Sequence, residues 1–411
     1  MQGGAKLSRN VWVTSATSFL TDVSSEMVTN LLPLFLANVI GVGTATIGLI
    51  EGVAESTASL VKLASGALSD RFRARKSLAV AGYALSAAAK PFFYVATTWV
   101  FVAGVRWVDR VGKGIRTAPR DALLADSTAP SQRGLAFGVH RAADTGGAVA
   151  GLLVAIFIVS SVQSGAVDLQ SATFRTLVLA SLVPAFLAVA VLAIGAREVR
   201  PSAAAASARR RWGIGGLGRR FGFFLFAAAI FDLGNSSDAF LVLRAQERGL
   251  SVVGILWTLL GFNLVYTLVS TPAGALSDRL RRKTLLLAGW VFYAVIYLGL
   301  AIAESSVHVV VLFILYGAYY GLVAGSGKAL IADLVEPSRW GTAYGTYHGV
   351  LGFTNLPASL VAGVLWQGVG PWAGFGPRAP FVFGAVMAVI AAILLALLVS
   401  DESPADEGTV A

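Results

Sequence analysis

Asp22 and Glu26 stand four residues apart in an otherwise apolar stretch, 11–38, and Asn30 continues the series. Residues at that spacing share one face of a helix. Four further apolar stretches repeat the anomaly. Residues 44–68 hold Glu51, Glu55 and Lys62, which at ~100° per residue fall within about 40° of one another. Lys90 sits beside Pro91 in 77–97. The run "RWVDRVGKGIRTAPRD" places Arg106, Asp109, Arg110, Lys113, Arg116 and Arg120 mostly three or four apart, a basic ridge, with Gly112 and Gly114 allowing a neighbour close and Pro119 predicted to end the helix. Residues 135–162 open with His140, Arg141 and Asp144. A carboxylate that trades a neighbouring cation for a proton can couple proton movement to another process. The same charges could instead pair and brace helices: Asp22 or Glu26 with Arg106 or Arg110, and Glu51 or Glu55 with Lys62.

The second half of the chain is sparser. It offers Asp232, Asn235 and Asp238, then Asn263 and Tyr266, then Tyr316, Tyr319 and Tyr320, and finally Tyr344, Tyr347, His348 and Asn355. Tyrosines are amphipathic and rigid, suited to lining a polar cavity or to packing helices.

These residues are conspicuous because of what carries them. The chain is 56% hydrophobic and 13% charged, against roughly 25% charged in soluble domains. Twelve apolar stretches recur near 11–38, 44–68, 77–97, 98–118, 135–162, 172–196, 221–246, 252–276, 284–303, 308–334, 342–366 and 379–400, each close to the ~20 residues that span a bilayer. They lack period-two alternation, so they are predicted to be helices. A charge in the middle of such a helix costs about 2.5–3.5 kcal/mol on insertion scales and marks function or pairing.

The net charge of +10 does not point to nucleic acid, because basic residues gather in every second loop. That pattern puts both termini in the cytoplasm of a cell whose inner membrane the chain crosses repeatedly; Arg244, Arg248 and Arg378 are the exceptions. The first apolar stretch is too long for a cleavable signal peptide. With no cysteine and three scattered histidines, His140, His308 and His348, neither thiol chemistry nor a metal site is expected. No phosphate-binding loop and no nucleophile–base set is present, which argues against ATP-driven work and against an enzyme. A proton gradient is then the expected driving force, with no cofactor.

The chain also repeats itself. "SGALSDRFRARKSLAVAG" at 65–82 aligns with "AGALSDRLRRKTLLLAG" at 273–289, and "ALLADSTAPS" at 122–131 with "ALIADLVEPS" at 329–338. Asp22 pairs loosely with Asp232. The predicted organisation is a six-helix bundle over 1–196, a basic cytoplasmic linker over 197–220, a second bundle over 221–400 and an acidic tail over 401–411.

On these residues the chain resembles the major facilitator superfamily of secondary transporters. The family's glycine–aspartate–basic loop is matched by Gly66, Asp70, Arg71, Arg75 and Lys76, and again by Gly274, Asp278, Arg279, Arg282 and Lys283; Arg73 and Arg281 stand where the family usually has glycine. Arg106 and Gly112 overlap its fourth-helix arginine motif, and Gly138, Gly147 and Gly151 its antiporter motif, with Leu152 in place of proline. The resemblance implies twelve transmembrane helices in two pseudo-symmetric bundles, with a central site and alternating access. It implies that Asp70 and Asp278 latch the cytoplasmic side. It places the first and fourth helices on the cavity, making Asp22, Glu26, Arg106, Asp109 and Arg110, with Asp232 and Asp238, candidates for proton coupling. Glu51, Glu55, His140, Arg141, Asp144, Asn263, Tyr266, Tyr320, Tyr347 and Asn355 remain candidates for substrate contact. The expected function is monomeric, proton-coupled export of a small organic compound by antiport; the rival is import of an organic anion or metabolite. A non-transporting receptor or lipid enzyme is the reading from another class.

Overall fold

The computed structural model describes residues 7–72, 74–163, 165–199, 217–277, 281–336 and 339–399, without the side chains of 70, 71, 130, 271, 274–277 and 324. Within them the chain forms twelve helices: α1 Arg9–Val28, α2 Thr44–Phe72, α3 Arg75–Ala89, α4 Trp99–Asp126, α5 Arg133–Val162, α6 Ser171–Gly195, α7 in two segments (Arg219–Gly234 and Ala239–Glu247), α8 Val252–Ser277, α9 Arg282–Ile302, α10 Ser306–Leu334, α11 Trp340–Gln367 and α12 Ala379–Leu398. Eight of them, α5 to α12, are long and apolar enough to cross a membrane. The other four, α1 to α4, with Lys90 just past the end of α3, carry many of the charges singled out above.

Three helices differ from their predicted course. α1 gives way after Val28 to a tighter turn, Thr29–Leu31, and a wider one, Phe35–Val39, around Pro33, which removes a backbone donor and crowds the preceding turn. α7 breaks between Gly234 and Ala239 at Asn-Ser-Ser-Asp, side chains that compete for backbone hydrogen bonds: Ser237 Oγ accepts from Ala239 N at 3.3 Å. α4 does not end at Pro119; it runs to Asp126, and its last turns are tied down by Arg120 and Asp126, described below.

The burial pattern is inverted relative to a soluble protein. Phe157, Val183, Ile194, Leu268 and Leu397 are exposed, whereas Glu51, Lys90, Arg106, Arg110 and Arg244 are buried. Apolar side chains that face outward all along a helix belong in lipid.

The chain divides into two compact units: Met1–Val42, Thr57–Arg209 and Ser251–Trp257 in the first, Gly43–Ser56, Arg210–Leu250 and Thr258–Ala411 in the second. α2 is shared. Its opening turns join the second unit, where a Cβ on Gly48 would lie 2.2 Å from Ser359 O of α11. The opening turn of α8 joins the first, with Val252 N donating to Ala166 O at 3.3 Å. In the first unit α5 packs on α1 with no room to spare: a Cβ on Gly147 would meet Phe19 O at 2.4 Å, and one on Gly151 would meet Val23 O at 2.6 Å. Gly138 is open, so two of the three antiporter-motif glycines are accounted for by packing. Gly112 opposes Gly82 of α3 just as closely, and Gly114 opposes Val61 and Ala58 of α2.

Basic residues close helix ends. Arg244, fully buried, donates to the carbonyls of Leu300, Ala301 and Ala303 at 3.1–3.2 Å where α9 ends, and to Glu247 at 2.5 Å. A cation on the negative end of a helix is favoured, which gives this exception to the loop-charge pattern a structural role. Lys283 does the same for α12 through Ala396 O and Val399 O.

Candidate functional site in two buried polar clusters

In the first unit, helical spacing on α1 puts Ser18, Asp22, Glu26 and Asn30 along one edge, and α3, α4 and α5 bring the cations. Glu26 Oε2 accepts from Asn30 Nδ2 at 2.6 Å, and the cationic charges that bear on Glu26 are Lys113, Arg110 and Lys90. Asp22 lies among Asp144, Glu26, Arg116 and Arg120. Lys90, in the turn that Pro91 imposes after α3, donates to Ser24 and, at 3.2 Å, to Ser25. Arg106 is 3.9 Å from Asp109 within α4.

Nearer the basic loops, Arg120 reaches Ser18 at 3.0 Å and Asp121 at 2.8 Å. Arg116 stacks 4.4 Å over the Tyr83 ring. His140 Nε2 lies 3.4 Å from Ser18 and 3.7 Å from Asp144, while Arg141 points to the exterior. The charges of α1, α3, α4 and α5 thus form one network in which every carboxylate has a cation in range.

In the second unit the break in α7 sets the geometry. Thr354 of α11 donates to Asp232. Tyr316 donates to Asn235 Oδ1 at 3.2 Å and to Asp238 Oδ1 at 3.3 Å, and Tyr320 also bonds Asp238. Around them lies an aromatic assembly: Tyr316 stacks on Tyr319 at 5.4 Å, Tyr293 on Tyr297 at 4.0 Å, Phe231 on Trp290 at 4.8 Å and Phe224 on Tyr347 at 5.8 Å. Tyr266 meets Tyr320 edge-on, and Tyr293 holds the Gly234 carbonyl at the break. Glu55, from the shared part of α2, lies close enough for its charge to act on Asp238. Asn263 donates to Leu259 O of its own helix at 3.0 Å. Asn355 is half-buried one residue after Thr354.

The loop motif has a partner that sequence reasoning missed. Arg75 pairs with Asp126 at 2.6 Å and also donates to Ser69 at 3.2 Å. Arg282 pairs with Asp333 at 2.6 Å. Both pairs span 51 residues, one copy per unit. The signal was the aspartate repeated in "ALLAD" and "ALIAD". Beside the first pair, Glu198 accepts from the Arg75 and Lys76 amides at 2.8 and 3.1 Å, an anion on a helix N-terminus. Asn10 ties α1 to Ser127 and to the backbone of Arg197. Gly66 abuts Ala118 of α4. The side chains of Asp70 and Arg71, the surroundings of Gly274, and Asp278 and Arg279 whole, lie outside what is described.

Comparison with known proteins decides the family. The Major Facilitator Superfamily model matches residues 14–231 and again 214–411. The chain belongs to the major facilitator superfamily. An uncharacterized MFS-type transporter of Methanocaldococcus jannaschii is 35% identical over 396 residues, 95% of each chain. An uncharacterized protein of Mycobacterium tuberculosis is 26% identical over 370 residues, 87% of each. Among solved structures, a bacterial homologue of the human lysosomal transporter Spinster superposes with a TM-score of 0.74 at 16% identity, covering 96% of this chain and 98% of its own. The nucleoside transporter NupG reaches 0.74 at 15% (96% and 100%), and a D-xylose–proton symporter 0.74 at 15% (96% and 98%). At these identities the structures speak for the fold. The superfamily protein described here is a multi-pass membrane transporter of small solutes, not an enzyme.

Proposed function

We propose that this transporter exports a small organic solute in exchange for protons, with Asp22 and Glu26 as the proton-carrying groups. The observation behind the reading is the placing of two carboxylates one turn apart on α1 amid Lys90, Lys113, Arg116 and Arg120. When one carboxylate takes a proton, its share of the cationic charge is released to the other carboxylates of the network. Helix arrangement and protonation are then coupled, because a buried charge left without its counter-charge is costly.

Outward direction rests on the glycine spacing of α5, whose Gly147 and Gly151 also serve packing. In this reading the protein works as a monomer in the cytoplasmic membrane, with the basic loops and both termini inside, no cofactor, and Asp70 and Asp278 as latches on the inner side. One observation favours a second reading: the ridge from Arg106 to Arg120 would suit import of an organic anion with protons. The two readings separate in cells. Expression should lower ethidium accumulation, and a protonophore should erase the difference. Accumulation that rises with expression would refute export.

A further inference from the structure

The two clusters differ in how their negative charge is met. Asp22, Glu26 and Asp109 of the α1/α4 network each have Arg or Lys within electrostatic range. Asp232 does not: Thr354 donates a hydrogen bond to it, and among the described residues no Arg or Lys pairs with it. Asp238 is met by the hydroxyls of Tyr316 and Tyr320 and by the charge of a further carboxylate, Glu55, and again no Arg or Lys among the described residues pairs with it.

Position makes the shortfall sharper. Asp232 is 8% exposed and stands in the last turn of the first α7 segment, which ends at Gly234. That is the negative end of a helix dipole, where a carboxylate is disfavoured and a cation favoured. Arg244, the buried arginine of the second α7 segment, is occupied with Glu247 and the end of α9. Tyrosines gather around both: Tyr319 and Tyr347 near Asp232, Tyr316 and Tyr320 at Asp238. Ring faces carry negative quadrupole and attract cations, most strongly where water is excluded. Carboxylates without counter-cations, a helix C-terminus and tyrosine rings all call for the same complement.

We propose that the second-unit cluster is the substrate site, and that its ligand is an organic cation: an amine or quaternary onium centre seated near Asp232 and Asp238, with apolar or aromatic substituents against Tyr316, Tyr319, Tyr320 and Tyr347. This rests on the reading of the protein as a solute carrier and deepens it. It also separates two tasks, since the α1/α4 network balances its own charge while the α7 cluster, among the described residues, lacks a positive group that a substrate can bring.

Tetraphenylphosphonium and tetraphenylborate, near-identical in shape and opposite in charge, make the test. Each is titrated against purified full-length protein, with affinity read by equilibrium dialysis and by the shift in melting temperature. The phosphonium should bind and the borate should bind at least tenfold more weakly. Asp232→Asn should lower phosphonium affinity tenfold or more, Asp232→Glu should retain most of it, and Asp333→Asn, in the exposed pair with Arg282, should leave it within about twofold. A variant that melts like the wild type yet keeps full phosphonium affinity after Asp232→Asn would overturn the assignment. So would preference for the borate, or failure of the phosphonium to bind. The measurement needs no gradient. Phosphonium binding without proton movement would refute only the coupling, and proton-driven export by a protein that prefers the borate would refute only the cation site.

Discussion

Replacing Asp126 with Asn removes one member of a nearly buried ion pair and leaves the other in place. Arg75 has 7% of its side chain exposed and Asp126 17%. After Asp126→Asn the guanidinium keeps Ser69 but loses the Asp126 carboxylate. Removing one partner of a buried pair costs about 3–5 kcal/mol; the residual exposure of Asp126 puts the expectation at the lower end, about 3 kcal/mol. The repeat-related pair, Arg282 with Asp333, is 32% and 50% exposed, and pairs in that setting are worth about 0–1 kcal/mol. At roughly 2–4 °C per kcal/mol for a unit of this size, Asp126→Asn should lower the melting temperature by about 6–12 °C. Asp333→Asn should lower it by less than about 4 °C. The assay is tryptophan fluorescence of purified protein in detergent at one fixed scan rate, because unfolding of such proteins is irreversible. Arg75→Gln added to Asp126→Asn should cost less than the sum of the two single changes, since the pair is then removed whole. Equal shifts for Asp126→Asn and Asp333→Asn, or no shift for Asp126→Asn, would refute the reasoning.

Four further outcomes are expected. Asp22→Asn or Glu26→Gln should leave the protein in the membrane while flattening the pH dependence of ethidium export in cells; unchanged profiles in both would remove these residues from the coupling role. Arg244→Met should destabilise by on the order of 3 kcal/mol, because three α9 carbonyls and Glu247 lose a charged donor together; a melting temperature within 2–3 °C of wild type, about the shift of one kcal/mol, would contradict the capping role. Gly147→Val should prevent recovery of folded monodisperse protein by gel filtration, whereas Gly138→Val should be tolerated, since the first position touches the Phe19 carbonyl and the second touches nothing. Asp70→Asn should slow export turnover in vesicles more than it weakens substrate binding; a pure loss of affinity would refute the latch.

Much of this was legible in the sequence because lipid imposes simple rules. Span count follows from backbone satisfaction, and the doubled "GALSDR" exposes the duplication. The one-turn spacing of Asp22 and Glu26 fixes a shared edge whatever the tertiary structure. What was not legible depended on contacts between distant segments. Asp126 and Asp333 were visible as a repeat, but their partners lie 51 residues away. Pro119 reads as a helix end locally, and only the anchoring of Arg120 and Asp126 carries α4 beyond it. Arg244 breaks the loop-charge pattern because the end it caps belongs to α9. Tyr293 and Tyr297, central to the aromatic assembly, drew no notice because α9 holds no charge between them to mark a polar face. The contrast between compensated carboxylates on α1 and uncompensated ones on α7 needs the positions of all the cations at once.

Purified protein in liposomes with an acidic lumen, loaded with a pH-reporting dye and given external ethidium, tests the central claim most directly. The account predicts that ethidium enters faster than into empty liposomes, that the lumen turns alkaline in step, and that Asp22→Asn with Glu26→Gln abolishes the link between the two. Ethidium entry at the same rate with and without the proton gradient, or a lumen whose pH does not respond, would contradict it.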